Sequence, residues 1–211
     1  MGVLEEISEF LQKGRAPKVK ELVQQALDEG YAPKEILEGG LLAGMGIIGG
    51  KFKLNQVFVP EVLIAARAMN QGVAVLKPRL VEDGVESVGT AVIGTVKGDL
   101  HDIGKNLVKM MLESKGIHVV DLGVDVPAER FLEGAKEHNA HVVCCSALLT
   151  TTMNEMKSVI DLFQREDYRD RVKIMVGGAP VNEAFAQSIG ADGYTPDATS
   201  AAELAYSYFS A

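Results

Sequence analysis

Apolar positions over residues 1–78 recur at three- and four-residue spacing and nowhere alternate, which is the mark of amphipathic helices. Leu4, Ile7, Phe10 and Leu11 make one stripe; Val19, Leu22, Val23 and Ala26 make a second, which Gly30 ends. A third helix is predicted from about Pro33, a residue suited to a first helical turn, through Ile36, Leu37, Leu41 and Leu42. A fourth starts near Pro60 and carries Val62, Leu63, Ala66, Met69 and Val73. Four helices with short connections predict a small four-helix bundle over 1–78. Pro78, several charges and a glycine in "KPRLVEDGVES" then break the pattern and predict a linker over 79–88.

From 89 to 211 the pattern changes to short apolar runs that alternate with helical stretches. "VGTAVIGTV", "HVVDLG", "HVVCCSAL" and "KIMVGG" read as strands, with a short one at "DGY". Helices are predicted near 102–114, 127–138, 151–165, 181–189 and 198–209. Repeated strand–helix units of this length predict an α/β domain with a parallel sheet and helices on both faces. Ligands of such sheets sit beyond the carboxyl ends of the strands, near the point where strand order reverses.

Composition narrows the class of partner. A net charge of -8, with lysines and arginines scattered, argues against a nucleic-acid surface, and the chain has no tryptophan for base stacking. Cys144 and Cys145 are adjacent inside an apolar run, which suits a buried strand in a reducing compartment better than a disulfide. The acidic, amphipathic start is not a signal peptide, and the glycine-punctuated "EGGLLAGMGIIGGKF" is too short to span a bilayer. A cytoplasmic protein without a membrane segment is expected.

The chemistry gathers in the loops after the strands: Gly98, Asp99, His101, Asp102, Ile103 and Gly104 after the first, Asp125 after the second, Ser146, Leu148, Thr150 and Thr152 after the third, Gly177 and Gly178 after the fourth. Singly these are ordinary turn residues, and Asp102 suits a helix N-cap. "GDLHDIGKN" resembles a phosphate loop, but five residues separate its glycines and Asn106 stands where a hydroxyl is needed. Gly94, Gly98 and Gly104 have the wrong spacing for a dinucleotide fingerprint. A phospho-acceptor site would want an acid where Ser146 stands. A zinc hydrolase would want three clustered ligands, yet His118, His138 and His141 fall toward the opposite edge of the sheet. One imidazole remains, suited to a metal that brings its other ligands as a macrocycle, with Asp99 to fix the imidazole tautomer.

The pattern Asp99-x-His101-x-x-Gly104, then Ser146-x-Leu148, then Gly177-Gly178 resembles the cobalamin-binding domain of methionine synthase, methyl-transferring corrinoid proteins and several mutases. The intervals, 41 residues from Gly104 to Ser146 and 28 from Leu148 to Gly177, are similar to the family's. "VFVPEVLIAARAMNQGVAVLKP" looks like the helical cap that precedes that domain. The whole chain is most similar to corrinoid subunits of methylamine and methanol methyltransferase systems.

The resemblance implies a helical cap over 1–78, a linker over 79–88 and a Rossmann-like (flavodoxin-like) domain over 89–211. It implies cobalamin, as methylcobalamin or a related corrinoid, bound base-off with His101 on cobalt. Asp99 and Thr152 would continue a relay from that ligand, with threonine where methionine synthase has serine. Gly98, Asp102, Ile103, Gly104, Ser146, Leu148, Thr150, Gly177 and Gly178 would line the cofactor's tail, which Tyr194 and the stretch at Asp197 and Ala198 would close. Phe58 and Leu63 would cover the reactive face, the plainer expectation being that both are bundle core. The glycine-rich stretch before Phe58 would be a hinge or a place where backbone meets cofactor. The implied role is a methyl carrier, without turnover of its own, between a substrate-specific methyltransferase and a second methyltransferase, with a reductive activase as a further partner. A cobalamin-dependent sensor and an adenosylcobalamin mutase subunit are the alternatives.

Overall fold

The computed structural model describes residues 2–84 and 87–209. The chain divides into two compact units, Met1–Glu86 and Ser87–Ala211. The first contains α1 (Val3–Gln12), α2 (Ala16–Asp28), α3 (Pro33–Glu35), α4 (Ala43–Lys53) and α5 (Val59–Glu82), with a π-helical stretch, Ile36–Leu42, joining α3 to α4. Most of the predicted stripes form its core, but Leu4, Phe10, Leu37, Leu42 and Val73 are only half-buried and Leu63 is exposed. Ile7, Leu11, Val19, Leu22, Val23, Ile36, Leu41, Val62 and Met69 are all buried.

Two expectations change. The glycine-rich stretch is helix, and Gly44 serves helix packing: a Cβ there would sit 3.0 Å from the Ser8 backbone on α1, whereas one on Gly46 or Gly50 would meet nothing within 4 Å. The helix also does not stop at Pro78, so residues 79–82, expected as linker, form the last turn of α5. Proline removes one hydrogen bond from a helix, here the one to the Ala74 carbonyl. Ala74 and Pro78 both lie on the exposed side, so the lost bond costs little there. The helix ends instead at Gly84, whose φ of +64° turns the chain out of the helix. Val85 and Glu86, also within the expected linker, lie outside the described residues.

The second unit is a five-stranded parallel sheet in the order β2-β1-β3-β4-β5. The strands are β1 (Thr90–Thr95), β2 (His118–Asp121), β3 (Val142–Ser146), β4 (Lys173–Gly177) and β5 (Gly193–Tyr194). The helices are α6 (Ile103–Glu113), α7 (Ala128–Glu137), α8 (Asn154–Arg165), α9 (Glu183–Ile189) and α10 (Ala198–Ser207). Near-continuous burial of β1, β3 and β4 is what a sheet covered on both faces requires. Strand order reverses between β1 and β3, so the crevice of this fold opens between the loops after those two strands. Both cysteines are buried and unbonded on β3, and burial pushes both thiols up, that of Cys144 to about 12.

A buried ion pair anchors the first turn of α6 beside that crevice. The Lys105 ammonium is almost fully enclosed and reaches Asp121 Oδ1, at the end of β2, at 2.6 Å. It also donates to Asn106 Oδ1 at 2.8 Å. Burial alone would raise the Asp121 pKa, but bonds from Lys105 and the Gly123 N–H, with the charges of Lys105 and Lys109, hold it below the ordinary value. Removing one partner of such a pair leaves a buried charge uncompensated. Lys105→Met is therefore expected to lower unfolding free energy by about 3 kcal/mol in urea denaturation. The double variant Lys105→Met/Asp121→Leu should recover most of that loss.

Candidate corrinoid site

The loop from β1 to α6 begins with a turn over Val96–Asp99, closed by a bond from Asp99 N–H to the Val96 carbonyl at 3.1 Å. Gly98 has φ +79°, the conformation a tight turn asks of its third residue, so it shapes the turn before it meets any ligand. The turn delivers Asp99 into the crevice with no exposed surface at all. Buried there, the carboxylate is fully bonded. Oδ1 accepts from the His101 ring Nδ1 at 2.8 Å and the His101 N–H at 3.1 Å. Oδ2 accepts from the N–H groups of Leu148 and Leu149 at 2.8 and 3.1 Å. The Thr152 hydroxyl lies 2.8 Å from Oδ2 and 2.9 Å from the Leu149 carbonyl. It has one proton, and the charged carboxylate is the stronger acceptor.

Burial pushes the Asp99 pKa up, but the hydrogen bonds from the His101 ring, Leu148, Thr152 and the His101 N–H outweigh it. The carboxyl is held well below the usual carboxylate range. An anion at Asp99 makes Nδ1 of His101 the protonated nitrogen and leaves the Nε2 lone pair available. Half the side chain is exposed, and Nε2 has no partner among the described residues. The backbone is fixed as well, since the buried Thr95 hydroxyl donates to the His101 carbonyl at 2.9 Å.

The other candidates divide by position. Asp102 stands at the N-cap of α6 as expected but makes no cap bond; its carboxylate accepts instead from Asn106 Nδ2 at 3.0 Å. Leu100, Ile103, Leu148 and Leu149 are exposed apolar side chains on the two loops that hold His101. Thr150 is exposed beside them. Ser146 sits across from Thr95 of β1 and Gly177 of β4 in register, half-buried, and its hydroxyl has no partner among the described residues.

The glycines are of two kinds. A Cβ on Gly104 or Gly177 would meet nothing within 4 Å, so the protein itself does not require glycine at either place. Gly178 is different. Its φ is +130°, and a Cβ would lie 1.8 Å from the Ala147 carbonyl oxygen. It is glycine because its backbone meets Ala147 at close quarters, a demand of the scaffold itself that stands beside the expected place in a ligand slot.

Tyr194, on β5, packs partly buried against the sheet core. Asp197 is occupied as the N-cap of α10, its carboxylate accepting from Ser200 N–H and Oγ at 2.8 Å each, and Ala198 behind it is buried. In the helical unit Phe58 and Leu63 are 63% and 46% exposed, so neither is bundle core. His118 opens β2, His138 caps α7 and His141 precedes β3 against the ring of Phe209, all at the other end of the strands. Among the described residues no three His, Cys, Asp or Glu side chains could hold a metal ion together. His101 therefore belongs to no such cluster among the described residues. The amide donors at Leu148 and Leu149 and the anchor at Thr95 escaped the sequence reading, because backbone hydrogen bonding between loops leaves no residue signature.

This is the chemistry of a site for a metal that carries its own equatorial ligands, and the comparisons agree with it. A family model described as a B12 binding domain matches residues 89–203, and a second of the same description matches 3–77. The chain is 46% identical to the dimethylamine corrinoid protein of Methanosarcina barkeri over 94% of its own length and 93% of the relative's. It is 40% identical to a corrinoid protein of Desulfitobacterium hafniense over 97% and 96% of the two chains. Among solved structures, the methanol:cobalamin methyltransferase complex of Methanosarcina barkeri matches with a TM-score of 0.89 and 30% identity, over 99% of this chain and 80% of the other. A cobalamin-binding protein of Desulfitobacterium hafniense matches with a TM-score of 0.80 and 29% identity, over 97% and 98%. This chain belongs to the corrinoid protein family.

Proposed function

We propose that the protein is a methyl carrier: it binds cobalamin base-off, with His101 Nε2 as the axial ligand, and serves two methyltransferases in turn. The observation that carries this reading is the isolated imidazole whose Nδ1–H is locked to a buried, ionised Asp99 while Nε2 stays free. Cobalamin supplies the cobalt that accepts and gives up the methyl group. The protein's part is to hold and tune. Asp99 fixes the ring's tautomer and direction and raises its basicity as a ligand. Thr152 and the amides of Leu148 and Leu149 keep the carboxylate from turning away. A ring not engaged by a metal would have Nε2 open to a proton, and Asp99 beside Nδ1 would stabilise the resulting cation.

The surroundings fit the group. Gly104 and Gly177 leave room for the detached nucleotide tail, and the free hydroxyl of Ser146, in register with Gly177, is a donor for its base. Gly98, Asp102, Gly178 and Tyr194 frame that slot. Leu100, Ile103, Leu148 and Leu149 offer an apolar rim to the macrocycle, with Thr150 at its edge. Phe58 and Leu63 are exposed apolar side chains of the helical unit. The methyl donor and acceptor are brought by partner enzymes, and a reductase that restores spent cofactor is a third partner. The structural match to a methanol:cobalamin methyltransferase complex supports the first of these partners. Such a carrier works in the cytoplasm, and no helix among the described residues is long and apolar enough to cross a membrane.

Visible titration with hydroxocobalamin tests the reading. The wild type should bind one equivalent with a base-off, histidine-on spectrum, and His101→Ala should lose that spectrum; a spectrum indifferent to His101 would refute the assignment. Gly104→Ala separates slot from scaffold. In the first turns of α6 it should raise unfolding free energy by about 0.5–1 kcal/mol while weakening cobalamin binding. Gly178→Ala should instead destabilise the apoprotein by more than about 3 kcal/mol, read by thermal unfolding without cofactor.

A further inference from the structure

The turn that presents Asp99 is gripped from outside by a residue that the reading above leaves unused. Asp125, in the loop after β2, has φ +53°, a left-handed conformation that a residue with a Cβ adopts at some cost. The same loop uses glycine where only backbone shape matters, at Gly123 with φ +90°. At 125 the side chain is retained, and it has a task. Asp125 Oδ1 accepts from the Gly98 N–H at 2.6 Å, while the Asp125 N–H donates to the Asp99 carbonyl at 2.9 Å. The two bonds bracket the Gly98–Asp99 peptide, the most freely rotating part of the loop. Asp125 is itself held in place because the neighbouring Val126 N–H donates to the Thr95 carbonyl at 2.9 Å and Thr95 N–H to Gly123 at 3.0 Å.

We propose that Asp125 is a positioning residue for the axial imidazole, acting through Asp99. Its carboxylate clamps the glycine turn, the turn sets the depth of Asp99, and Asp99 sets the direction of His101 Nε2. A charge-assisted bond to the amide is stronger than a neutral one, which accounts for an acid in a conformation that asparagine or glycine would adopt more readily. The proposal rests on His101 as the axial ligand.

The test uses Asp125→Gly and Asp125→Asn in the full chain, with hydroxocobalamin as probe. Glycine keeps the left-handed backbone and deletes only the clamp; asparagine keeps both the conformation and an acceptor. Asp125→Gly should weaken binding about tenfold and deplete the histidine-on band, as loss of an outer support of a metal ligand does. Asp125→Asn should stay within about threefold of wild type. In a His101→Ala background Asp125→Gly should have no further effect, because the clamp acts only through the ring. Amide exchange of Gly98 in the cofactor-free protein should quicken in Asp125→Gly alone. Wild-type binding and spectrum in Asp125→Gly, or an equal loss with and without His101, would overturn the proposal. A wild type that never shows the histidine-on band would instead remove the axial-ligand reading beneath it.

Discussion

An ionised carboxylate with no solvent contact is tolerated only if the protein replaces the water it has lost, and Asp99 is such a group. Its donors come from two separate loops: His101 from the loop after β1, and Leu148, Leu149 and Thr152 from the loop after β3. Those strands are neighbours in the sheet but lie far apart in sequence, with β2 and two helices between them. The carboxylate therefore acts as a rivet at the point of strand reversal, and the crevice has one geometry because any other would strand a charge. Because the folded protein depresses this pKa, the stabilisation is present above the ordinary carboxyl value of 3.8 and is lost as pH falls toward the folded value. At neutral pH the rivet is fully set.

Around it, similar residues do different work, and only geometry separates them. Gly177 and Gly178 are adjacent in the chain, yet the first faces open space and the second is pressed against the Ala147 carbonyl. One is glycine for an occupant, the other for the scaffold. The two acids beside His101 divide in the same way. Asp99 is buried and organises the ring, whereas Asp102 is exposed and tied to Asn106 on the helix. A motif written as letters merges these roles because both were selected at the same place.

The alternation of apolar runs made the sheet order-of-events legible: each strand and helix of the second unit lies within a few residues of its predicted span, because burial on both faces leaves long uninterrupted apolar runs. The lone histidine and its acid were legible too, as chemistry with no structural excuse in a strand-to-helix loop. What stayed hidden had physical reasons. Pro78 normally ends a helix, and here the orphaned carbonyl faces solvent, so the helix continues. The glycine-rich stretch before Phe58 reads as a hinge or a place where backbone meets cofactor, yet it is helix, with Gly44 packed against Ser8. Lys105 and Asp121 are 16 residues apart and look like surface charges until the fold buries them together.

The arrangement also suits a ligand that must let go. Of the donors to Asp99, the ring Nδ1 is the one that moves with the imidazole; the His101 N–H, both leucine amides and the Thr152 hydroxyl belong to the loops. When the ring swings or changes charge, the carboxylate still has most of its hydrogen bonds, so the cost of release is not that of a bare buried anion. A histidine held by Asp99 alone would be either rigid or lost. Held by a carboxylate that is itself secured elsewhere, the ring can turn or change charge while the loops around it stay where they are. The fold thereby separates a fixed anion from a movable ring.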